Sequence, residues 1–338
     1  MAAPPPAAPL ALSLGEPAGV GPEIVAAAWR ALQAAGPAFV AIGDAALLRR
    51  QGVAVEAIAD PAEAGRVFAR ALPALDLPLP APVTPGRPDP ANAAAVADGI
   101  EAAVALAVSG AASAVVTAPI AKAPLYAAGF RFPGHTEFLA ELTADVPFAG
   151  TRGPVMMLTA KDLRAALVTI HEPLAAVPAL VTAERVRHVA RVVHEALRRD
   201  FGVAAPRLAL AALNPHAGEG GAMGREEIGV LGPAAAALRA EGIAITDPLP
   251  ADTMFHDEAR AGYDAAVCLY HDQALIPVKT LDFWGGVNVT LGLPVVRTSP
   301  DHGTGFDIAG KGVARADSLV AALRLAAEMA GMRAAAQV

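Results

Sequence analysis

Residues 264–279, DAAVCLYHDQALIPVK, join a short apolar run to a helical pattern through a histidine and an aspartate. The run AAVCLY has the length and composition of a buried strand, yet no glycine, asparagine or proline turn follows it. His271 and Asp272 stand there instead. Because parallel α/β sheets bind ligands at the carboxyl ends of their strands, this pair predicts a functional site.

Similar apolar runs alternate with alanine- and leucine-rich helical patterns along most of the chain. For example, LALSL at 10–14 precedes a helix predicted from Gly21, with Pro22 in the first turn, where a missing N–H is harmless. This alternation is typical of an α/β protein with largely parallel sheets. The length of 338 residues also exceeds that of most single cores and favours two domains.

Composition excludes several classes of protein. Hydrophobic residues make up 54% of the chain and charged residues 17%, which suits a large core. The net charge of −7, without a long basic run, predicts no nucleic-acid partner. The single cysteine, Cys268, excludes a disulfide framework or a cysteine-rich metal site and fits a reducing cytoplasm.

Targeting and membrane segments are also not expected. The N-terminal stretch MAAPPPAAPLALSLG, residues 1–15, has no Lys or Arg before its apolar part, unlike a secretory signal peptide. Proline, glycine or charge interrupts each apolar segment before the roughly 20 residues that span a bilayer. We therefore predict a cytoplasmic protein with no membrane partner.

Three strand-like runs end in a histidine, at His171, His216 and His271. Neutral imidazole is a common ligand of divalent metal ions, and three protein ligands with an open position are typical of a catalytic metal site. For any one of these histidines, the alternative is that its side chain only hydrogen-bonds to the backbone of its own loop. Their equivalent positions after three strands favour the metal site, with Asp272 orienting its neighbour or lying just behind it.

Other polar residues predict an anionic substrate. His135 and Thr136 begin a helix in RFPGHTEFLAEL, residues 131–142. A cluster of Lys279, Asn288 and Arg297 would suit a substrate that carries both a phosphate and a carboxylate. By contrast, LGEPAGVGPEI at 14–24 lacks the G-x-G-x-x-G spacing, so alone it is weak evidence for a dinucleotide.

Together the motifs resemble the 4-hydroxythreonine-4-phosphate dehydrogenases of pyridoxal 5'-phosphate biosynthesis. The segments that carry this resemblance, spread from about residue 12 to residue 313, are GEPAGVGPEI, PGHTEF, LNPHAGEGG, YHDQALIPVK and VNVTLGLPVVRTSPDHGTGFDIAG. HGTGFDIAGKGVARAD, residues 302–317, is also similar to the nucleotide-binding loop of isocitrate and isopropylmalate dehydrogenases. That fold holds NAD without the Rossmann fingerprint.

The resemblance implies two α/β/α lobes around a cleft, isocitrate/isopropylmalate dehydrogenase-like rather than Rossmann. Residues 1–130 plus 286–338 are expected to form a cofactor-side lobe. Residues 131–285 are expected to form the lobe that holds metal and substrate and makes a homodimer.

The resemblance also implies roles for individual residues. His171, His216 and His271 correspond to ligands of one divalent metal per site (zinc, magnesium or cobalt), shared across the homodimer interface. Substrate would contact His135, Thr136, Lys279, Asn288 and Arg297. NAD, or alternatively NADP, would contact His302, Gly303, Thr304 and Asp307. The general base stays open among Asp252, Asp272 and Lys122.

The implied reaction oxidises 4-phosphohydroxy-L-threonine to a β-keto acid, which decarboxylates to 3-amino-2-oxopropyl phosphate. Trp284 departs from the smaller or more polar residue expected beside Asn288. The alternative is therefore a paralogue that oxidises a related acid, such as threonate or erythronate 4-phosphate. A metal-dependent phosphatase or aldolase would not need the 302–317 loop, and a periplasmic-type binding protein would need a signal peptide.

Overall fold

The computed structural model describes residues 8–132 and 134–336, so residues 1–7 of the N-terminal stretch considered above lie outside it. In the described part, the strands in chain order are β1 Leu10–Ser13, β2 Phe39–Gly43, β3 Val55–Ala57, β4 Leu72–Asp76, β5 Val115–Thr117, β6 Val155–Ala160, β7 Leu163–Leu167, β8 Arg207–Leu210, β9 Ala244–Ile245, β10 Ala265–Cys268, β11 Val287–Leu291 and β12 Arg297–Pro300. The α-helices are α1 Gly21–Leu32, α2 Ala45–Arg49, α3 Ala64–Val67, α4 Ala93–Val108, α5 Lys122–Ala127, α6 His135–Leu142, α7 Val177–Leu180, α8 Ala183–Asp200, α9 Gly232–Ala240, α10 Asp257–Arg260, α11 His271–Leu281 and α12 Asp317–Ala335.

The chain divides into two compact units, each made of two segments. Unit 1 comprises Met1–Pro147 and Pro294–Ala330, and unit 2 comprises Phe148–Leu293 and Gly331–Val338. These bounds differ from the predicted limits after residues 130 and 285.

Two contacts account for the shifted bounds. Helix α6 belongs to unit 1 because Phe138 packs edge-on against Phe130, with ring centroids 4.9 Å apart, and because α6 contacts α4. Strand β11 belongs to unit 2 because it pairs with β6 along its whole length, from Val287 opposite Thr159 to Leu291 opposite Val155.

Unit 1 contains a parallel sheet in the order β3-β4-β2-β1-β5-β12. All four residues of β1 are buried, as expected for a parallel strand covered on both faces. After β1 the chain forms a loop and enters α1 at Gly21, with Pro22 in the first turn, as predicted. The predicted α/β class is confirmed.

Helix α4 corrects the expectation that no apolar segment approaches the length of a membrane span. In the described part of the chain, residues 90–108 are long and apolar enough to cross a membrane by length and composition alone. However, Val96, Ile100 and Val104 are buried, and α4 contacts β1, β2 and β5. These contacts are those of a core helix in unit 1.

Unit 2 contains a mixed sheet in the order β11-β6-β7-β10-β8-β9. Strands β7, β10, β8 and β9 are parallel, whereas β6 is antiparallel to both of its neighbours. A two-residue turn joins β6 to β7, and its first residue, Lys161, has a φ of 52°. The largely parallel arrangement therefore includes one hairpin that the sequence patterns did not indicate.

Candidate active site

Three neighbouring parallel strands of unit 2 lead to the three predicted metal ligands. Strand β10 lies between β7 and β8, since Ala266 pairs with Ala165 on one side and with Ala209 on the other. The carboxyl ends of these three strands lie at one edge of the sheet. His171 follows β7, His216 follows β8 and His271 follows β10, and we call these three residues the histidine edge. Topology thus places the three loops at the edge where α/β proteins bind ligands.

Two members of the histidine edge lie close together. The ring centroids of His171 and His271 are 5.7 Å apart. Asp272 contacts His271 through Oδ1, 2.7 Å from the ring Nδ1. A carboxylate accepts hydrogen bonds, so this contact assigns the imidazole proton to Nδ1 and leaves the Nε2 lone pair for a ligand. Metal-binding histidines are commonly oriented in this way.

The third member does not join this pair within one chain. Across residues 8–132 and 134–336, no three His, Cys, Asp or Glu side chains come together closely enough to hold a metal ion. His216 begins a run of five residues with φ between 43° and 78°, ending at Gly220. Non-glycine residues in this left-handed region are disfavoured by about 1–2 kcal/mol each, so the surroundings must hold the run in place.

Gln273 connects two loops of the histidine edge. This buried side chain, 6% exposed, accepts a hydrogen bond from Leu269 N through Oε1 at 2.7 Å. Its Nε2 donates to Ala212 O, also at 2.7 Å. The ends of β10 and β8 are therefore tied to each other by a residue that the sequence patterns did not single out.

Two of the three candidate bases line one cavity in unit 2. Asp252 and Asp272 border a space of about 380 Å³ together with Tyr270, Phe255 and Ile276. Asp252 lies in a short 3-10 turn and is exposed, whereas one carboxylate oxygen of Asp272 already contacts His271. Asp272 therefore suits an orienting role better than that of a base.

Unit 1 contains a second group of predicted site residues around Arg297. This arginine, in β12, is only 4% exposed. Its Nη2 donates to Thr117 Oγ1 at 2.7 Å and lies 3.3 Å from Nδ1 of His135. Burial lowers the pKa of Arg297 to about 10, so the guanidinium stays charged at neutral pH. We call Thr117, Lys122, His135 and Arg297 the cationic cluster.

The contact with Arg297 settles which nitrogen of His135 carries the proton. A guanidinium has no acceptor, so Nδ1 must accept and Nε2 must carry the hydrogen. Burial, and then the charge of Arg297, hold the pKa of His135 well below its usual value. The imidazole is therefore neutral, and its Nε2 is buried without a hydrogen-bond partner among the described residues. Such a donor suits an acceptor oxygen of a ligand.

Lys122 and Thr136 lie beside His135. Lys122 begins α5, and its Nζ would be 3.6 Å from a Cβ placed on Gly134, the residue that precedes α6. Thr136 is the second residue of α6, where backbone N–H groups and the helix dipole favour anions. Lys122, the third candidate base, thus belongs to the cationic cluster rather than to the cavity beside Asp252.

The remaining predicted substrate residues belong to unit 2. Lys279, on α11, has its Nζ 5.2 Å from the ring centroid of Phe283. Asn288, on β11, has a buried Oδ1 that accepts no hydrogen bond from the described residues. Trp284, the departure noted above, is half exposed and packs edge-on against Phe283.

The predicted cofactor residues form a loop held against the start of α1. Thr304 O accepts from Val20 N at 2.8 Å, and Glu23 accepts hydrogen bonds from the backbone N–H groups of Gly310 and Gly312. A Cβ on Gly19 would lie 2.7 Å from Thr304 O. Gly19 therefore allows close backbone contact with residues 301–312, which we call the cofactor loop.

Side chains of the cofactor loop are accessible. His302, Gly303 and Asp307 are exposed, and His302 Nδ1 lies 2.9 Å from Gly303 O. Nearby, Glu16 of the GEP motif is 5% exposed and accepts from Ala18 N at 3.0 Å. Burial raises the pKa of its carboxyl group, and the bond from Ala18 opposes this shift.

A comparison with known protein families tests the family resemblance that the sequence motifs predict. Residues 35–326 match the profile of the family described as pyridoxal phosphate biosynthetic protein PdxA. The chain belongs to this family. The resemblance predicted from the sequence motifs is confirmed.

Individual members of the PdxA family and their relatives agree. A 4-hydroxythreonine-4-phosphate dehydrogenase of Caulobacter vibrioides is 64% identical, with 96% of this chain and 98% of that protein covered. The crystal structure of the Klebsiella pneumoniae 4-hydroxythreonine-4-phosphate dehydrogenase matches with a TM-score of 0.85 and 39% identity, covering 95% of this chain and 99% of that one. A terephthalate 1,2-cis-dihydrodiol dehydrogenase of Burkholderia xenovorans has a TM-score of 0.63 and 31% identity, covering 95% and 97%.

Proposed function

We propose that this protein is a 4-hydroxythreonine-4-phosphate dehydrogenase acting in pyridoxal 5'-phosphate biosynthesis in the cytoplasm. It oxidises the C3 alcohol of 4-phosphohydroxy-L-threonine, and the resulting β-keto acid loses CO2 to give 3-amino-2-oxopropyl phosphate. The observation that carries the proposal is the buried Arg297 cation, fixed between Thr117 and a neutral His135. A buried, oriented guanidinium suits a phosphate or carboxylate of such a substrate.

The cationic cluster gives each part of an anionic substrate a partner. Arg297 supplies permanent charge, and Lys122 supplies a second cation near Gly134, where the Glu137 carboxylate also lies. His135 donates from Nε2 to a substrate oxygen without adding charge of its own. Thr136 and the first turn of α6 add further N–H donors. Lys279 and Asn288 are proposed to complete substrate binding.

The histidine edge is proposed to hold one divalent metal ion. Its donor set fits: His171 and His271 have neighbouring rings, and the contact of Asp272 with Nδ1 leaves the Nε2 of His271 for a ligand. We infer that the third ligand, His216, reaches this pair from the partner copy of a homodimer, since one chain does not assemble all three. A metal ion held by these histidines would supply Lewis-acid chemistry at the substrate hydroxyl and the ketone, and bound NAD would supply the hydride acceptor.

A general base must take the proton of the substrate hydroxyl. Asp252 is proposed first, because the ammonium of Lys122 has no lone pair to accept a proton while it serves as a cation, and the carboxylate of Asp272 is engaged in orienting His271. This assignment fits the cavity, because Asp252 is exposed and borders it.

The cofactor loop is proposed to bind NAD, and Gly19 tests this. In Gly19→Ala the new Cβ would meet Thr304 O at 2.7 Å, a backbone atom that can only move by shifting the loop. Overpacking of this kind is worth about 1 kcal/mol or more, so we expect the KM for NAD to rise roughly fivefold. Steady-state kinetics with varied NAD measure it. Gly65→Ala, where a Cβ meets nothing within 4 Å, is the control, and an unchanged KM in Gly19→Ala would contradict the proposal.

The decisive experiment for the proposed function is NADH formation by the purified full-length protein. We expect turnover with 4-phosphohydroxy-L-threonine, loss of turnover with a chelator, and recovery on adding Zn²⁺, Mg²⁺ or Co²⁺. The 31% identical terephthalate dihydrodiol dehydrogenase makes a substrate panel necessary, and threonate and erythronate 4-phosphates belong in it. Faster oxidation of either acid would favour the paralogue, and a product formed without reduction of NAD or NADP would overturn the dehydrogenase assignment.

A further inference from the structure

The loop that carries His216 has an unusual backbone. After β8 the chain passes Leu213 and Asn214, and then His216 starts the five-residue left-handed run that ends at Gly220. His216, Ala217 and Glu219 are the non-glycine residues of this run with positive φ. Such a conformation persists only where neighbouring groups determine it.

One buried carboxylate accepts hydrogen bonds from the beginning of this loop and lies beside Gly218 in its middle. Glu227 Oε1 accepts from Leu213 N at 2.9 Å and from Asn214 N at 2.8 Å. Its Oε2 accepts from Asn214 Nδ2 at 2.9 Å and would be 2.7 Å from a Cβ on Gly218. Glu227 is 6% exposed, so these contacts form away from water.

The helix that bears Glu227 and its neighbour Glu226 reinforces the arrangement. Glu227 is the first residue of a π-helical turn, Glu227–Leu231, a rare form that occurs often at functional sites. Glu226 Oε2 also accepts from Asn214 Nδ2, at 2.7 Å, and from Arg225 N, at 3.0 Å. Asn214 is therefore held by two carboxylates only two residues before His216.

We propose that Glu227 is a positioning residue for His216. Its carboxylate fixes the strand end and the left-handed run, and so sets where the imidazole of His216 stands as a metal ligand. The inference rests on the proposed function, because it takes His216 as a ligand. It goes further in assigning a role to a residue that does not touch the metal.

Cobalt binding by the metal-free, full-length protein tests the proposal without measuring turnover. The probe is Co²⁺, whose ligand-field absorption reports the number and type of its ligands, and a titration gives its dissociation constant. Glu227→Gln keeps the shape but replaces one accepting oxygen by an NH2 group facing N–H donors. Loss of a residue behind a metal ligand typically weakens metal binding 10–100-fold. We expect at least a tenfold increase in the Co²⁺ dissociation constant and a spectrum that approaches that of His216→Ala.

Two further variants control for the loss of an unrelated carboxylate and for unfolding of Glu227→Gln. Glu241→Gln removes an exposed carboxylate that pairs with Arg191 in the same unit, and it should bind Co²⁺ like the unaltered protein. If circular dichroism shows Glu227→Gln to be unfolded, Asn214→Ala takes its place as the test of the positioning role. It removes the amide held by Glu226 and Glu227 but leaves both backbone donors, and it should weaken Co²⁺ binding at least threefold.

The outcomes separate this inference from the proposed function. In the first outcome, His216→Ala weakens Co²⁺ binding but folded Glu227→Gln does not, and Asn214→Ala replaces Glu227→Gln if the latter is unfolded. That result overturns the positioning role of Glu227, while the metal site stands. If His216→Ala binds Co²⁺ like the unaltered protein, or if the unaltered protein shows no nitrogen-ligated Co²⁺ spectrum, the proposed metal site fails and this inference fails with it.

Discussion

Replacing His271 by alanine is expected to reduce NADH formation by about a thousandfold or more. The variant loses the Nε2 lone pair that the contact between Asp272 and Nδ1 leaves available for the metal. Polarisation of a substrate oxygen by a metal is worth several kcal/mol, and each ~1.4 kcal/mol changes the rate tenfold. The measurement is kcat/KM for 4-phosphohydroxy-L-threonine, alongside metal content by elemental analysis.

The fold of His271→Ala should be unaffected. His271 begins α11 with its side chain about one-third exposed, and surface substitutions usually change the free energy of unfolding by less than ~0.5 kcal/mol. The unfolding temperature without metal should therefore match that of the unaltered protein. His188→Ala, on α8 of the same unit, is the matched control and should keep normal turnover. A His271→Ala variant with normal turnover would remove the histidine edge from the mechanism.

Local patterns were sufficient to predict the strand ends. In 264–279 the apolar run, the His-Asp pair and the helix follow one another directly, and the structure has β10 ending at Cys268 and α11 beginning at His271. Each of these features depends on neighbouring residues, which is why sequence periodicity detects them. The hairpin at Lys161 was not predicted because its turn lacks the glycine or asparagine that usually marks one.

Helix α4 shows where composition alone is insufficient to predict the environment of a helix. Its sequence is apolar enough to meet a membrane criterion, and only its packing on β1, β2 and β5 identifies it as a core helix. Composition cannot distinguish these environments, because a covered helix and a lipid-exposed helix need the same side chains.

The residues that orient the candidate site could not be predicted, because their partners are distant in sequence. Gln273 reaches Ala212, 61 residues earlier, and Thr117 accepts a hydrogen bond from Arg297, 180 residues later. Glu227 bonds to Leu213, 14 residues away, through a loop whose backbone no pattern indicates. Motifs named the residues expected to touch ligands, whereas the residues that hold them in place emerged only from the folded structure.

Arg297→Ala is expected to lower kcat/KM for the phosphorylated substrate at least tenfold. A hydrogen bond to a charged group is worth about 1.5–3 kcal/mol, and ~1.4 kcal/mol corresponds to one decade. The substitution also frees Nδ1 of His135 from its donor, so the imidazole can take either tautomer and no longer presents Nε2–H reliably. Since the charge of Arg297 lowers the pKa of His135, that pKa should rise in the variant, although burial continues to oppose it.

Arg297→Lys separates charge from geometry. It keeps the positive charge, but Thr117 and His135 already engage one guanidinium nitrogen, Nη2. An ammonium has one nitrogen in place of three and cannot also offer the substrate a planar fork, so recovery should be incomplete. Nitrogen-15 NMR of His135 reports the tautomer directly, and should show Nε2–H in the unaltered protein and a mixture in Arg297→Ala.

Arg66→Ala, which removes an exposed partner of Glu63 in unit 1, is the matched control and should leave both kinetics and the His135 signal unchanged. The KM for NAD should stay nearly constant in Arg297→Ala, Arg297→Lys and Arg66→Ala, because Arg297 is proposed to bind the substrate and Arg66 pairs with Glu63. Since Arg297 is buried, unfolding temperatures must accompany the kinetics, and a folded Arg297→Ala protein is the relevant case. If that protein oxidised the phosphorylated substrate at the normal rate, the cationic cluster would be a structural feature of unit 1. The main argument for a phosphate-bearing substrate would then be lost.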